Sequence, residues 1–328
     1  MNALFRSILD AIGSLVGNHG LAVILFTILI RLVLLPFDYK SRKSMRRMEK
    51  VNPQLQALQK KYANDKEKLQ RKQADLYKKE KINPLGSCLP MLLTLPILFI
   101  MFGAMRNAAN ERLVQSMMSI FNAVGDLDIA NADAIRAALP PLSTLVEPFL
   151  WIKNLWMADS PFTAVLPTAS SGLAAITGAI EGVITADQLD VLRAFLDGPI
   201  YQQVVLPHYG ATPLPGGTIN LFITSLTVYM NPNGFFILPI LSAVSQFFTN
   251  SLNPQQAQQQ TAQQGGTGAF MKWFFPIFSL WICATSNAAF SLYWVVTNII
   301  SMGQQVAFRL IFEAQDRKAA AQTEEVSL

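Results

Sequence analysis

Arg31 interrupts the apolar run from Leu21 to Phe37, which is long enough to enter a bilayer. The leucine, isoleucine, valine and phenylalanine side chains of this run favour insertion by about 4–8 kcal/mol, whereas a central arginine costs about 2.5–3.5 kcal/mol, so the segment still inserts. A cation in this position is a functional candidate, because it attracts anionic or strongly polar groups. The competing interpretation is that Arg31 reaches the cytoplasmic headgroups, about 9 Å further along the helix. The residues around Arg31 leave both interpretations open.

Polar side chains recur at helical spacing inside three apolar segments, which predicts helix faces turned toward protein or water rather than lipid. Thr27 and Arg31 form such a face in the first segment. The members in the two later segments are Ser242, Ser245, Gln246, Thr249, Ser291, Tyr293, Trp294, Thr297, Asn298, Ser301, Gln304 and Gln305. Interhelical packing is the better explanation for a single serine such as Ser242 or Ser291.

If the three faces converge, they enclose a hydrophilic cavity that holds one positive charge. No acidic residue lies within the apolar segments to neutralise that charge. The predicted lining residues are Thr27, Arg31, Gln246, Tyr293, Trp294, Asn298, Ser301 and Gln305. Such a cavity is suited to binding acidic or strongly polar groups.

Catalytic chemistry finds no support in the sequence. It contains no GxSxG, HExxH, Walker loop or CxxC pattern, and no paired carboxylates within an apolar segment. The two cysteines, Cys88 and Cys283, imply neither a disulfide framework nor a metal site. His19 and His208 are expected to be isolated residues at the surface or the membrane interface. We therefore expect a protein that is not an enzyme and that uses no nucleotide, metal or other cofactor.

The composition is that of an integral membrane protein, with 51% hydrophobic residues, 14% charged residues and a mean hydropathy of +0.31. Residues 38–83 hold 15 of the 26 lysines and arginines against 6 acids, whereas residues 106–233 hold 5 basic residues against 10 acids. Because basic loops next to membrane segments stay in the cytoplasm, residues 38–83 are predicted to be cytoplasmic. Anionic lipids are then expected partners of this region.

Five apolar segments predict an all-α protein with transmembrane helices over 21–37, 88–105, 234–252, 270–289 and 290–311. Parity then places the N-terminus and residues 106–233 outside, and the loop 253–269 and the tail 312–328 in the cytoplasm. Residues 1–20 have apolar side chains at helical spacing and predict an amphipathic helix on the outer membrane surface.

Residues 38–83 predict an antiparallel helical hairpin with a turn at 63–65. Pro53 is expected near a helix start or at a kink. The cationic flanks of the hairpin include Arg42, Lys43, Arg46, Arg47, Lys60, Lys61, Arg71 and Lys72. A solvated topological anchor would need no partner, but 46 residues exceed what topology requires, which favours a docking role.

Residues 27–98 closely resemble the YidC/Oxa/Alb family of membrane protein insertases. The resemblance lies in an arginine in the first core helix followed by Leu35-Pro36, the basic hairpin, Asn83-Pro84-Leu85-Gly86 and Cys88-Leu89-Pro90. The segment LYWVVTNIISMGQQ, residues 292–305, is similar to the last core helix of the family. Residues 168–233 look like an external insertion relative to the compact five-span members.

The resemblance implies a five-helix core around a hydrophilic groove that is open to the cytoplasm and to lipid. Arg31 falls on the groove arginine of the family, Thr27 and Tyr293 match substrate-contacting positions, and Gln246 matches a polar position of the third helix. The implied function is an insertase and chaperone of a bacterial inner membrane that acts on nascent membrane proteins. The ribosome and the Sec translocon are further implied partners, while no specific nucleic acid is expected. The short tail of mixed charge after Phe312 weakens the case for ribosome binding through it.

Two other functions are carried as alternatives. A small-anion transporter would use Arg31 as a substrate ligand, although the internal repeat typical of transporters is not evident. A scaffold for ribosomes or a translocon would depend on the basic hairpin alone, and the polar faces would then be packing surfaces.

Overall fold

The computed structural model describes residues 2–80, 85–220, 225–252 and 267–326, and these residues are mostly helical. The first four helices are α1 (Asn2–Val16), α2 (His19–Lys61), α3 (Lys66–Lys79) and α4 (Leu85–Val124). Shorter helices follow: α5 (Ala132–Ala138), α6 (Leu142–Leu145), α7 (Ala186–Asp197) and α8 (Leu206–His208). The last three are α9 (Ile237–Ser251), α10 (Thr267–Thr285) and α11 (Ala288–Val326). The motif residues Asn83 and Pro84 and most of the predicted loop 253–269 lie outside the described residues.

One segment departs from the predicted all-α architecture. Strands β1 (Pro213–Asn220) and β2 (Ser225–Tyr229) pair in antiparallel register, with Thr218 opposite Thr227. The register is irregular between Pro213 and Thr218, where Gly216 adopts a φ of +71°. A positive φ is readily accessible to glycine, so this backbone path suits the sequence.

Helix α2 is continuous from the first apolar segment into the basic region. Pro36 and Pro53 both lie inside the helix, so Pro53 is not at a helix start, and a kink at Pro53 stays a prediction. The apolar face of α2 is strongly exposed, with Leu32 at 59%, Val33 at 62% and Phe37 at 60%. An apolar face this exposed is unfavourable in water and is typical of contact with lipid.

Two helical segments among the described residues are long and apolar enough to cross a membrane, His19–Met48 and Ala288–Lys318. All five predicted spans nevertheless stay predictions. Of these, residues 88–105 lie within α4, which continues to Val124, and residues 234–252 correspond to the shorter α9.

The boundaries around the last two predicted spans differ from the sequence-based ones. α10 ends at Thr285 and α11 begins at Ala288, so the break lies a few residues earlier than predicted. Asn287 explains this break, because its side-chain oxygen accepts a hydrogen bond of 2.9 Å from the backbone N–H of Phe290, as a helix N-cap does. α11 then continues to Val326, so the described part of the predicted tail is helical.

The basic region is divided into two helices. α2 ends at Lys61 and α3 begins at Lys66, on either side of the predicted turn. Asp65 caps α3, because its carboxylate accepts a hydrogen bond of 3.0 Å from the backbone N–H of Lys68. The antiparallel pairing of the two helices stays a prediction.

The contacts divide the chain into two compact units. The first unit comprises Met1–Phe26, Ile100–Ser242 and Phe278–Val295, and the second comprises Thr27–Phe99, Ala243–Ile277 and Val296–Leu328. The first unit contains most of the buried core, including Met101, Met105, Met117 and Ile120 of α4.

Candidate functional site

Arg31 lies in the second unit on α2, on the same helix face as Thr27 four residues earlier. Thr27 is fully buried, and the Arg31 side chain is 15% exposed. A largely buried guanidinium with limited access to water keeps a strong field, because little solvent screens it. This geometry suits a binding site for a polar or acidic group.

No acid lies within the predicted apolar segments, but one lies near Arg31 directly after the first of them. Oδ2 of Asp38 is 4.0 Å from Nη1 of Arg31, and Asp38 lies two helical turns further along α2. The apolar segment was taken to end at Phe37, which excluded the next residue. Because 4.0 Å is too long for a hydrogen bond, the donors of Arg31 are not used by this carboxylate.

An aromatic and cationic cluster joins the next part of α2 to α11 within the second unit. The ring centroid of Tyr39 lies 5.7 Å from that of Phe308 and 5.5 Å from that of Phe312. Arg42 lies over the ring of Phe308 at 5.9 Å, and Arg46 lies over that of Phe312 at 5.0 Å. Both distances allow cation–π attraction, so two of the predicted hairpin arginines contact aromatic rings of α11.

Asp316 extends this α2–α11 cluster. Its carboxylate forms an ion pair with Arg46, and Nζ of Lys50 lies 3.5 Å from its Oδ1. Asp316 is 52% exposed, so we expect these pairs to contribute at most about 1 kcal/mol each. Asp316 nevertheless belongs to the predicted tail 312–328, for which the sequence indicated no contact with the rest of the chain.

The remaining basic side chains of α2 and α3 that were predicted to act together are exposed. They are Lys43, Arg47, Lys60, Lys61, Arg71 and Lys72. Two of them have acidic neighbours on α3, with 2.7 Å between Arg71 and Glu67 and 3.8 Å between Lys72 and Asp75. This part of the chain therefore presents a cationic surface to its surroundings.

The structure brings the polar faces of α9 and α11 together in the second unit. Nδ2 of Asn298 donates to Oγ of Ser245 at 3.2 Å, and the hydroxyl of Thr249 donates to the carbonyl of Asn298 at 3.4 Å. About two turns further along α11, Nε2 of Gln305 donates to the carbonyl of Thr249 at 3.4 Å. These polar residues therefore also hold the two helices together.

Several hydrogen-bonding atoms of the same faces stay unused. Nδ2 of Asn250, Oγ1 of Thr297 and Oε1 of Gln305 are buried and have no hydrogen-bond partner among the described residues. Gln246 and Ser301 make bonds within their own helices, to Asn250 at 2.9 Å and to the carbonyl of Thr297 at 2.8 Å. Buried polar atoms without partners are costly and uncommon, so they are candidates for contact with a ligand or water.

Tyr293 and Trp294 belong to the first unit rather than to the unit that holds Arg31. Tyr293 is 6% exposed, and both rings contact Phe290, at 6.2 and 5.7 Å. Nε1 of Trp294 is buried and donates to no described acceptor. Their predicted place beside Arg31 stays a prediction.

Ser242 and Ser291, for which packing was the favoured explanation, make local packing contacts in the first unit. The hydroxyl of Ser242 donates to the carbonyl of Ser279 on α10 at 3.1 Å, and that of Ser291 donates to the carbonyl of Cys283 at 3.0 Å.

His19 is not isolated, as the sequence suggested, but lies in a charged cluster of the first unit. Its Nδ1 is 2.8 Å from Oε2 of Glu147, and its Nε2 is 3.0 Å from Nη2 of Arg112. Burial raises the pKa of Glu147, but the hydrogen bond from His19 and the charge of Arg112 outweigh it, so that the pKa lies below its ordinary value. Sequence reasoning missed this cluster because its members are far apart in the chain.

A second missed residue is Asp159, which is fully buried at the start of α9. Its carboxylate accepts hydrogen bonds from the backbone N–H groups of Phe235 at 2.9 Å and Leu238 at 2.7 Å, and from Nε1 of Trp151 at 3.2 Å. A Cβ on Gly234 would lie 1.9 Å from Oδ1 of Asp159, so glycine is required for this approach. Asp159 thus fixes the beginning of the helix that carries the second polar face.

The segment 147–159 reaches the ends of several helices in the first unit. The phenyl ring of Phe149 packs against Gly20 near the start of α2, where a Cβ would lie 2.2 Å from the ring. The carbonyls of Leu155 and Met157 accept hydrogen bonds from Ala289 and Ala288 at the start of α11, at 3.0 and 2.9 Å. An irregular segment therefore positions three of the helices that bear the predicted site.

Comparison with known proteins adds independent information. The model of the family described as 60Kd inner membrane protein matches residues 11–315. The chain is 48% identical over 100 residues to "Membrane protein insertase YidC" of Fusobacterium nucleatum, a match that covers 30% of this chain and 49% of the relative. It is 36% identical over 156 residues to the protein of the same name from Anaeromyxobacter dehalogenans, covering 48% and 22%. The corresponding protein of Chlorobaculum tepidum is 25% identical over 319 residues, covering 97% and 37%. The matched part is thus less than half the length of each of these relatives.

Proposed function

The chain belongs to the 60Kd inner membrane protein family, and from this membership we propose that it inserts nascent membrane proteins into a bacterial inner membrane. The relatives that it matches are named membrane protein insertases. We further propose a multi-pass topology with the N-terminus outside and the basic helices α2 and α3 in the cytoplasm, which agrees with the positive-inside rule.

The observation that carries the proposal is the guanidinium of Arg31, which is 15% exposed within the apolar part of α2. In the proposed mechanism it attracts an acidic residue in the polar external segment of a substrate, which shortens the path of that segment across the hydrocarbon. The substrate's own apolar helix then moves into lipid. Burial of this helix supplies the driving force, so the chain itself need only lower the barrier.

Polar groups of α9 and α11 support the same role. The unused atoms of Asn250, Thr297 and Gln305 can exchange hydrogen bonds with a polar segment while it passes. Gln246, Asn298 and Ser301 lie on the same helices in the second unit and extend the proposed polar path. Hydrogen bonds that replace those lost from water lower the cost of bringing a polar chain into the membrane.

The exposed cationic side chains of α2 and α3 are proposed to bind anionic lipid headgroups. Each basic residue near such a surface contributes about 1 kcal/mol of attraction. The ribosome and the Sec translocon are proposed as further partners, on the strength of the family resemblance alone.

The test is insertion of a single-spanning client with an acidic external tail into liposomes that contain the purified protein. Arg31→Ala is expected to lower the insertion rate at least about tenfold, because one charge-assisted hydrogen bond contributes about 1.5–3 kcal/mol. Arg31→Lys should retain part of the activity. Arg136→Ala removes an exposed arginine paired with Asp133 and is the matched control. Equal insertion by wild type and Arg31→Ala would refute the charge attraction.

The α9–α11 hydrogen bonds favour one alternative, in which the polar faces only pack. Asn298→Ala separates the two, because a packing role predicts lower stability with unchanged insertion per folded molecule. Flux of a small anion through the protein without any client would instead support a transporter.

A further inference from the structure

Asp38 is an acid that directly follows the first apolar segment, and the structure places it next to Arg31. Both residues lie on one face of α2 in the second unit, and their side chains are 21% and 15% exposed. Oδ2 of Asp38 is buried and accepts no hydrogen bond from the described residues, although it lies 4.0 Å from Nη1 of Arg31. A buried carboxylate oxygen in this situation requires a functional or structural explanation.

The distance distinguishes two roles. A structural ion pair would bring the guanidinium and carboxylate to about 2.7–2.9 Å and use the donors of Arg31. At 4.0 Å the two charges attract each other, but the N–H groups of Arg31 are left available to another acceptor. Asp38 therefore reduces the charge of the site without filling it.

Arg42 completes a row of alternating charge on α2. It follows Asp38 by four residues on the same helix face and also interacts with it electrostatically. Arg42 is itself drawn toward Phe308 of α11. Two cations therefore share one half-buried acid, and an incoming carboxylate meets both the attraction of Arg31 and the repulsion of Asp38.

We propose that Asp38 is an internal counter-ion that sets the charge selectivity of the Arg31 site. It neutralises Arg31 while the site is empty and competes with the acidic residue of a membrane-protein substrate for the same guanidinium. Substrates with a single acidic residue in the external tail are therefore held back more than substrates with several. This inference rests on the proposed insertase function and identifies a positioning residue for it.

The experiment uses full-length protein in liposomes and three versions of one single-spanning client, with zero, one or two aspartates in its external tail. Asp38→Asn keeps the shape of the side chain and removes its charge. It should speed insertion of the one-aspartate client at least about fivefold, the low end of the coupling seen between interacting sites. Insertion of the client without acids should stay unchanged. Asp38→Glu keeps the negative charge and should insert the three clients at the wild-type rates.

Asp75→Asn is the matched control, because it removes one negative charge from α3 beside Lys72 without touching the row on α2. The inference is overturned if Asp38→Asn has no effect, if it speeds all three clients equally, or if Asp75→Asn has the same effect. Asp38→Ser serves as the second variant should the asparagine variant fail to fold.

Arg31→Ala measured alongside separates this inference from the proposed function. A defect in Arg31→Ala with no response in Asp38→Asn refutes only the counter-ion. Unchanged insertion in both variants refutes the role of Arg31 as well.

Discussion

Replacing Asp159 should destabilise the first unit more than any surface change, because this carboxylate holds three donors at the start of α9. Asp159→Ala leaves the N–H groups of Phe235 and Leu238 and the indole N–H of Trp151 without their acceptor. An unsatisfied buried donor costs about 1–3 kcal/mol. The bond from Leu238 is buried, whereas those from Phe235 and Trp151 are partly buried, so the first donor counts fully and the other two together count about as much again. The loss of a negative charge at a helix N-terminus adds about 0.3–1 kcal/mol.

The free energy of unfolding of Asp159→Ala is therefore expected to be about 4 kcal/mol lower than that of wild type. For a unit of this size, 1 kcal/mol corresponds to about 2–4 °C, so the unfolding temperature should fall by about 8–16 °C. Asp159→Asn should lose about half as much, since one oxygen is retained. Unfolding can be followed in detergent with a fluorogenic maleimide, because Cys283 is fully buried until the protein unfolds. Cys88→Ser in the background leaves Cys283 as the single reporter.

Gly234→Ala provides an independent check, because its new Cβ would lie 1.9 Å from Oδ1 of Asp159. It should be strongly destabilising alone but add little to Asp159→Ala, where the clashing carboxylate is gone. Thr185→Ala removes the exposed cap of α7 and should cost only about 1 kcal/mol. An unfolding temperature for Asp159→Ala within 2–3 °C of wild type, or strict additivity of the two substitutions, would refute the reasoning.

Three further predictions follow from other contacts. The lowered pKa of Glu147 stabilises the fold above about pH 4.5, its ordinary value, and this stability is lost as the pH falls through the pKa of the folded state. Glu147→Gln should therefore lower the unfolding temperature at pH 7 and make the unfolding temperature fall less steeply between pH 7 and pH 3. The same pH dependence of the unfolding temperature in variant and wild type would contradict this. A double-mutant cycle of Ser245→Ala and Asn298→Ala, measured by reversible unfolding in mixed micelles, should give a coupling free energy of about 0.6 kcal/mol and no more than about 1.7 kcal/mol. A coupling free energy of zero would mean that the hydrogen bond between these two side chains does not contribute to stability. Asp316→Ala should speed backbone hydrogen exchange in the adjoining turns of α11 up to about fivefold, because it removes a partly exposed ion pair with Arg46 that contributes at most about 1 kcal/mol. Unchanged exchange would show that the pair does not stabilise the helix.

Features that depend on neighbours in the chain were accessible to sequence reasoning. The periodicity of α2 placed Thr27 and Arg31 on one face, and the 3,4 spacing around Asn298 predicted the polar face of α11. Helical geometry also links Arg31 to Asp38, seven residues apart, but ending the segment at the last apolar residue concealed this pair. The helix continues through Pro36 regardless of that change in composition.

Contacts between distant segments were not accessible in the same way. The cluster of His19 with Arg112 and Glu147 joins residues about a hundred positions apart, and no local pattern marks it. Asp159 has the spacing of an ordinary loop acid, and its role follows only from the backbone path that brings it to Leu238. The β1–β2 hairpin lies in the stretch 168–233, which was interpreted only as an external insertion, because its exposed first strand lacks the clear alternation of a half-buried sheet.

By itself the sequence determined that the chain is apolar and mostly helical, that it resembles one family of insertases, and that one arginine lies inside its first apolar helix. These properties follow from composition and from a repeat of 3.6 residues, both of which can be counted along a single chain. Only the tertiary structure decided that α11 contacts both α2 and α9 in the second unit and that segment 147–159 anchors helix ends in the first. The reason is that side-chain contacts and irregular hydrogen bonds depend on which surfaces meet, and the spacing of residues within one helix does not specify its partner.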